Sequence, residues 1–121
     1  KLTGNAIRVP TPNVSLAVMS LTVEKNNLNK EDVNEFLRKT AFNSKYREIV
    51  GFVNSTEIVS SDFYSSPFAS VIDSQATIVS DNKITIYCWY DNEYGYSVQV
   101  VNLVKNIAGI NLIRLPVKVW Y

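Results

Sequence analysis

The sequence predicts an α+β domain: a mostly antiparallel sheet with helices on one face. Three observations carry this. Four segments rich in β-branched and aliphatic residues have strand length, and two others repeat their apolar residues at helical spacing. The last three strand candidates also follow one another with no helix between them, which is the α+β pattern. The resulting order is β–α–β–β–β–α. A doubly wound nucleotide-binding unit does not fit, because the four glycines are scattered and no Gly-rich turn joins a strand to a helix.

The elements follow in chain order. "RVPTPN" carries two prolines and reads as a kinked lead-in, since proline cannot pair normally within a sheet. "VSLAVMSLTV" (Val14–Val23) reads as the first strand. Its parity changes midway: Val14, Leu16 and Val18 share one face, while Met19, Leu21 and Val23 fall on the other. Either a bulge near Val18 flips the pleat or both faces are covered. "LNKEDVNEFLRKTAF" reads as a helix, with Asn29 as cap, Glu31 and Asp32 at the positive end of the dipole, and a stripe of Val33, Phe36, Leu37 and Ala41. "EIVSSDF", "ASVIDSQATIV" and "KITIYCWY" are the remaining strands, and Asp81-Asn82 supplies a hairpin turn between the last two. "YSVQVVNLVKNIAG" closes the pattern as a helix with Val100, Val101, Val104, Ile107 and Ala108 on one face and Gly109 as its stop. The tail "INLIRLPVKVWY" is apolar and interrupted by proline, and is expected to lie along a surface.

Composition excludes several functions. The chain has 121 residues, 12 Lys and Arg against 11 Asp and Glu, and a net charge of +1 with the signs interspersed. No basic stripe supports specific nucleic-acid binding, and no polybasic run or long apolar stretch supports a membrane. There is no histidine, so His-based acid–base chemistry cannot be built within the chain. One cysteine, Cys88, allows no internal disulfide and with no histidine argues against a zinc site. A cytoplasmic location follows by default. The N-terminus has no initiator Met and soon runs into strand-like sequence, the look of a chain with something removed upstream.

Three residues could carry chemistry. Arg8 precedes Pro10 and Pro12, whose fixed backbone could hold its guanidinium ready for a phosphate oxygen; the alternative is a surface arginine with its stem on the sheet. Asn92 offers a donor and an acceptor side by side, suited to an amide, and Tyr96 offers a flat face four residues later. The alternative there is a strand-to-helix junction in which Asp91 or Asn92 caps the helix and the tyrosines cover the core rim. Cys88 lies inside the apolar run "ITIYCWY" with no base nearby and reads as a core thiol.

"RVPTPNVS", "IVSSDF", "WYDNEYGYS" and "VVNLVKNIAG" resemble, in order and spacing, glyceraldehyde-3-phosphate dehydrogenase from Lys1 to about Gly109. The resemblance implies the latter part of the family's catalytic domain over residues 1–109, followed by an apolar tail over 110–121. The family oxidises glyceraldehyde 3-phosphate with NAD and phosphate to 1,3-bisphosphoglycerate, and is typically a cytosolic homotetramer. By resemblance, Arg8 matches an arginine that binds phosphate, Asn92 the asparagine that holds the nicotinamide carboxamide, and Tyr96 the tyrosine beside the nicotinamide ring. The family's catalytic cysteine and histidine have no counterpart here, so the chain alone is expected to be inactive, and it carries nothing that separates NAD from NADP. "YSSPFAS" departs from the family's glycine-containing turn after "SSDF", which implies an altered loop. A different class remains open: a non-catalytic module that associates through its sheet.

Overall fold

The computed structural model describes residues 3–110. Its elements are β1 (Ser15–Thr22), α1 (Lys30–Asn43), β2 (Val50–Val53), a 3₁₀ turn (Ser60–Phe63), β3 (Ser70–Ser80), β4 (Lys83–Tyr90) and α2 (Tyr94–Ile107). The strands form one open sheet in the order β1-β4-β3-β2. β4 pairs antiparallel with both β1 and β3, and only β2 runs parallel to its neighbour β3. The architecture is therefore the expected α+β sheet, mostly antiparallel.

The hairpin forms where the sequence places it. Ser80 pairs with Lys83 across Asp81-Asn82, and Asp81 takes a left-handed φ of 55° that its short polar side chain tolerates. Asp81 also accepts from the Asn27 N–H at 2.9 Å through Oδ1, fixing the path from β1 into α1. Asn29 caps α1 as read: its Oδ1 accepts from the Asp32 N–H at 2.7 Å, and its amide donates back to Asp32 Oδ2 at 3.0 Å.

One face of the sheet holds the main core. Ile84, Ile86 and Cys88 of β4 and Ile72 of β3 bury against Val33 of α1, with Ala17, Leu37, Val50 and Phe52 packed around them. Of the helical stripe, Val33 and Ala41 are buried, whereas Phe36 points outward at 69% exposure. The α1 backbone direction is also fixed by polar ties, Asn34 Nδ2 to the Ser74 carbonyl at 2.9 Å and Lys30 Nζ to the Gln75 carbonyl at 2.8 Å. Both land on an irregular part of β3: the pairing shifts between Asp73 and Ile78, where Asp73 Oδ1 accepts from the Gln75 and Ala76 amides.

Three expectations change. The segment "EIVSSDF" is not a strand. Asp62 Oδ2 accepts from the Val59 N–H at 2.9 Å and folds Ser60–Phe63 into a 3₁₀ turn, as short polar side chains do when they compete with a sheet ladder. The strand in this part of the chain is Val50–Val53, upstream. The bulge expected near Val18 is absent from β1, which pairs with β4 residue for residue from Ser15 to Thr22. Nor are both faces of β1 covered: Val18 on one side and Met19 and Leu21 on the other remain half exposed. The third change concerns α2. It forms and stops at Gly109, whose φ is 68°, but Val100, Val101, Val104 and Ile107 are all exposed. The tail beyond Ile110 lies outside the described residues.

Candidate functional site

A second, smaller cluster lies where the lead-in, the 3₁₀ turn and β3 meet: Val14, Phe63 and Val71 are buried together, with Phe68 and Trp89 against them. Phe63 stacks on the Trp89 indole with centroids 5.4 Å apart and planes at 11°. The indole N–H donates to Asp73 Oδ2 at 3.3 Å, which satisfies its one polar atom. Val14 sits at φ 70°, a strained conformation for a β-branched residue, held because its side chain belongs to this cluster.

β4 ends above this cluster, and the chain turns directly into α2. Asp91, 3% exposed, makes the turn. Its Oδ1 accepts from the Glu93 and Tyr94 amides at 2.9 Å each, so it caps the helix. Its Oδ2 accepts from the Ser65 amide at 2.8 Å, a residue 26 positions earlier in the chain. The Tyr94 amide foremost, then the Asn13 side chain and the Ser65 and Glu93 amides, hold the carboxyl at about 2 against the opposing effect of burial. Asp91 thus knots two segments: the loop after the 3₁₀ turn and the first turn of α2.

Two further contacts clasp the same loop. Gly95 packs so closely on it that a Cβ would lie 2.6 Å from the Phe68 carbonyl oxygen. One turn later, Gln99 Nε2 donates to the Pro67 carbonyl at 2.9 Å.

The knot opens on a cleft of about 400 Å³ lined by Ala69, Tyr90, Asp91, Asn92, Tyr96 and Gln99. Asn92 and Tyr96 therefore meet at one cavity, Asn92 on the turn and Tyr96 on the first turn of the helix, a residue 72% exposed. The turn runs straight into α2 at Tyr94, so the two residues reach the cleft from either side of the helix start. Arg8 is not brought to this lining. It stands exposed on the extended lead-in. Cys88 is buried at 4% exposure within β4, and its burial pushes the thiol pKa up, which leaves it protonated and poorly nucleophilic.

Sequence reasoning named Asp91 only as one of two possible caps, and missed Gln99 and Ala69. The aspartate before a helix signals a cap; its second oxygen, reaching Ser65, has no signal in local spacing.

The family model described as "Glyceraldehyde 3-phosphate dehydrogenase, C-terminal domain" matches residues 1–92, most of the chain. The chain belongs to the glyceraldehyde 3-phosphate dehydrogenase family. It is 52% identical over 116 residues to a glyceraldehyde-3-phosphate dehydrogenase-like protein of Pseudomonas aeruginosa (strain UCBPP-PA14), covering 96% of this chain and 25% of that protein. It is 46% identical over 109 residues to the chloroplastic glyceraldehyde-3-phosphate dehydrogenase GAPB of Arabidopsis thaliana, covering 89% and 24%. With glyceraldehyde-3-phosphate dehydrogenase 2 of Bacillus subtilis (strain 168) it shares 40% over 111 residues, covering 89% and 31%. The chain thus spans a quarter to a third of the length of these dehydrogenases. The family match ends at Asn92, within the turn that forms the cleft, and the relatives' similarity reaches beyond it. Among the described residues, no helix is long and apolar enough to cross a membrane.

Proposed function

We propose that this chain is the cofactor-facing part of a larger NAD-dependent dehydrogenase that oxidises glyceraldehyde 3-phosphate, with phosphate, to 1,3-bisphosphoglycerate. The observation that carries the proposal is the meeting of Asn92 and Tyr96 at one cleft. The residues fit one end of the cofactor. A primary amide such as the nicotinamide carboxamide needs a donor and an acceptor side by side, which Asn92 has, and a flat ring needs an open aromatic face, which Tyr96 has. The dinucleotide's phosphates have no Gly-rich cradle in this sequence, and the NAD-versus-NADP preference rests with residues elsewhere. When bound, the cofactor supplies the hydride acceptor; this chain's residues bind and orient it. Arg8 is assigned to phosphate binding, and its exposed guanidinium on a proline-fixed segment suits that role.

The reacting groups are assigned to other parts of the protein. This chain has no histidine, and its one cysteine is buried and protonated. The 121-residue chain by itself should therefore not reduce NAD in the presence of the aldehyde and phosphate; turnover by the purified chain would refute this. In a full-length dehydrogenase carrying this chain, Asn92→Ala should raise the cofactor KM at least about tenfold, the loss expected when a buried amide partner goes unpaired. An unchanged cofactor KM would remove Asn92 from the site. We assign the whole enzyme to a cytoplasmic homotetramer.

A second reading has its own observation. Leu16, Val18 and Ile78 lie on the sheet face opposite α1, at 40%, 53% and 56% exposure, in line with Thr85 and Tyr87 through the register. Such a face suits association of sheets. A chain acting only as an association module would sediment as a stable oligomer, and Asn92→Ala in the full-length protein would leave cofactor binding intact.

A further inference from the structure

Asp91 does more than a helix cap requires. A cap needs one oxygen on the amides of the first turn, and Oδ1 alone provides this for Glu93 and Tyr94. Oδ2 is committed elsewhere, to the Ser65 amide at 2.8 Å, and Ser65 holds a left-handed φ of 59° there. The same loop is met twice more from α2, by the bare Cα of Gly95 at the Phe68 carbonyl and by Gln99 at the Pro67 carbonyl. Immediately after it comes Ala69, which lines the cleft opposite Asn92 and Tyr96 in chain position, twenty-odd residues away from them. The cleft is therefore a gap between two segments that are tied to each other at its base. Asp91 is the charged member of that tie and itself lines the cleft. Charge-assisted bonds are shorter and stronger than neutral ones, so this group dominates the spacing.

We infer that Asp91 is the positioning residue of the nicotinamide wall: by bonding the Ser65 loop to the first turn of α2, it sets the width of the cleft that Asn92 and Tyr96 face. The inference rests on the assignment of Asn92 and Tyr96 to the cofactor. Asp91 touches no reacting atom; it acts through the residues on either side of it. Its low carboxyl pKa agrees with this, because the group stays ionised and accepting throughout the neutral range.

The test is Asp91→Asn in a full-length dehydrogenase carrying this chain. The variant keeps shape and one acceptor oxygen, so the helix cap survives. It places an NH₂ donor against one of the amide donors that the carboxylate satisfied. In cofactor-free protein, amide exchange at Ser65 should rise about tenfold or more, while Glu93, Tyr94, β4 and α1 keep their protection. The calorimetric Kd for NAD and the cofactor KM should both rise about tenfold, with the aldehyde KM unchanged. A purely structural carboxylate would reduce the amount of active enzyme and leave the cofactor KM and Kd alone; that result overturns the inference. Asn92→Ala, run in parallel, separates the failures. If Asn92→Ala weakens NAD binding and Asp91→Asn does not, the inference falls and the cofactor assignment stands. If neither does, the cofactor assignment itself falls. Should Asp91→Asn not fold, Asp91→Ser carries the test, since a serine hydroxyl still caps the first turn but its single oxygen cannot also hold the Ser65 amide. It should raise the NAD Kd about threefold, and an unchanged Kd overturns the inference.

Discussion

The two helices are equal in length, 14 residues each, and opposite in design. α1 is studded with charge and yet anchored along its length. Val33 and Ala41 bury in the core, Asn34 and Lys30 bond to β3, and Arg38 and Lys39 pair with Glu35 on the outer side. α2 carries a single charged residue, Lys105, and yet exposes Val100, Val101, Leu103, Val104 and Ile107. It is held at its beginning, by Asp91, Gly95 and Gln99. The difference teaches that apolar pattern alone does not locate a core. In α1 the stripe finds its partner in the sheet; in α2 the stripe has none among the described residues, and the helix is tied to the packed unit through its capped first turn and Gln99. That first turn is also where the candidate site stands.

This contrast can be broken by mutation. Ile86→Ala, beneath α1, should cost about 3 kcal/mol in denaturant unfolding, from lost burial and the cavity left behind. Gly95→Ala comes next and carries an informative sign. Glycine in a helix interior is normally worse than alanine by about 0.5–1 kcal/mol, so the change should stabilise an ordinary helix. Here the new Cβ would meet the Phe68 carbonyl oxygen at 2.6 Å, and a loss of about 2 kcal/mol is expected instead. A rise in thermal midpoint would show that α2 is not clasped to the loop.

Acid offers a milder probe of the same junction. Asp91 titrates at about 2 in the folded chain against an ordinary 3.8, so its contribution is complete above the higher value and is lost as pH falls through the lower one. Between pH of about 4 and 2, the near-ultraviolet signal of the surrounding tyrosines should change, and in Asp91→Asn this step should vanish. The smallest effect belongs to Val104→Ala, which should shift the stability of the 121-residue chain by less than about 0.5 kcal/mol. A loss comparable to that of Ile86→Ala would mean that α2 is packed along its length after all.

Much of this was legible in the sequence where a single local rule decides. The Asp81-Asn82 hairpin and the Asn29 cap each need only residues within a few positions of one another. β2 was not legible: it is four residues long, contains Gly51, and pairs parallel through Val50 and Ser70, twenty residues apart. "EIVSSDF" looked like a strand because Ile58, Val59 and Phe63 are strand formers; the Asp62 carboxylate took the Val59 amide and made a turn. The candidate site divides the same way. Asn92 and Tyr96 stand four residues apart in one turn-to-helix stretch, but Ala69 and Ser65 reach them only through contacts some 26 residues long, which periodicity does not reveal.

The most direct measurement is residue-resolved amide hydrogen exchange on the 121-residue chain. Protection should be highest in β4 and α1, intermediate at Tyr94 and Gly95, and at least about a hundredfold lower from Val100 onward in α2. Equal protection along α1 and the whole of α2 would contradict the account, because it would mean that the apolar side of α2 is buried within this chain and that the site's helix is not held by its first turn.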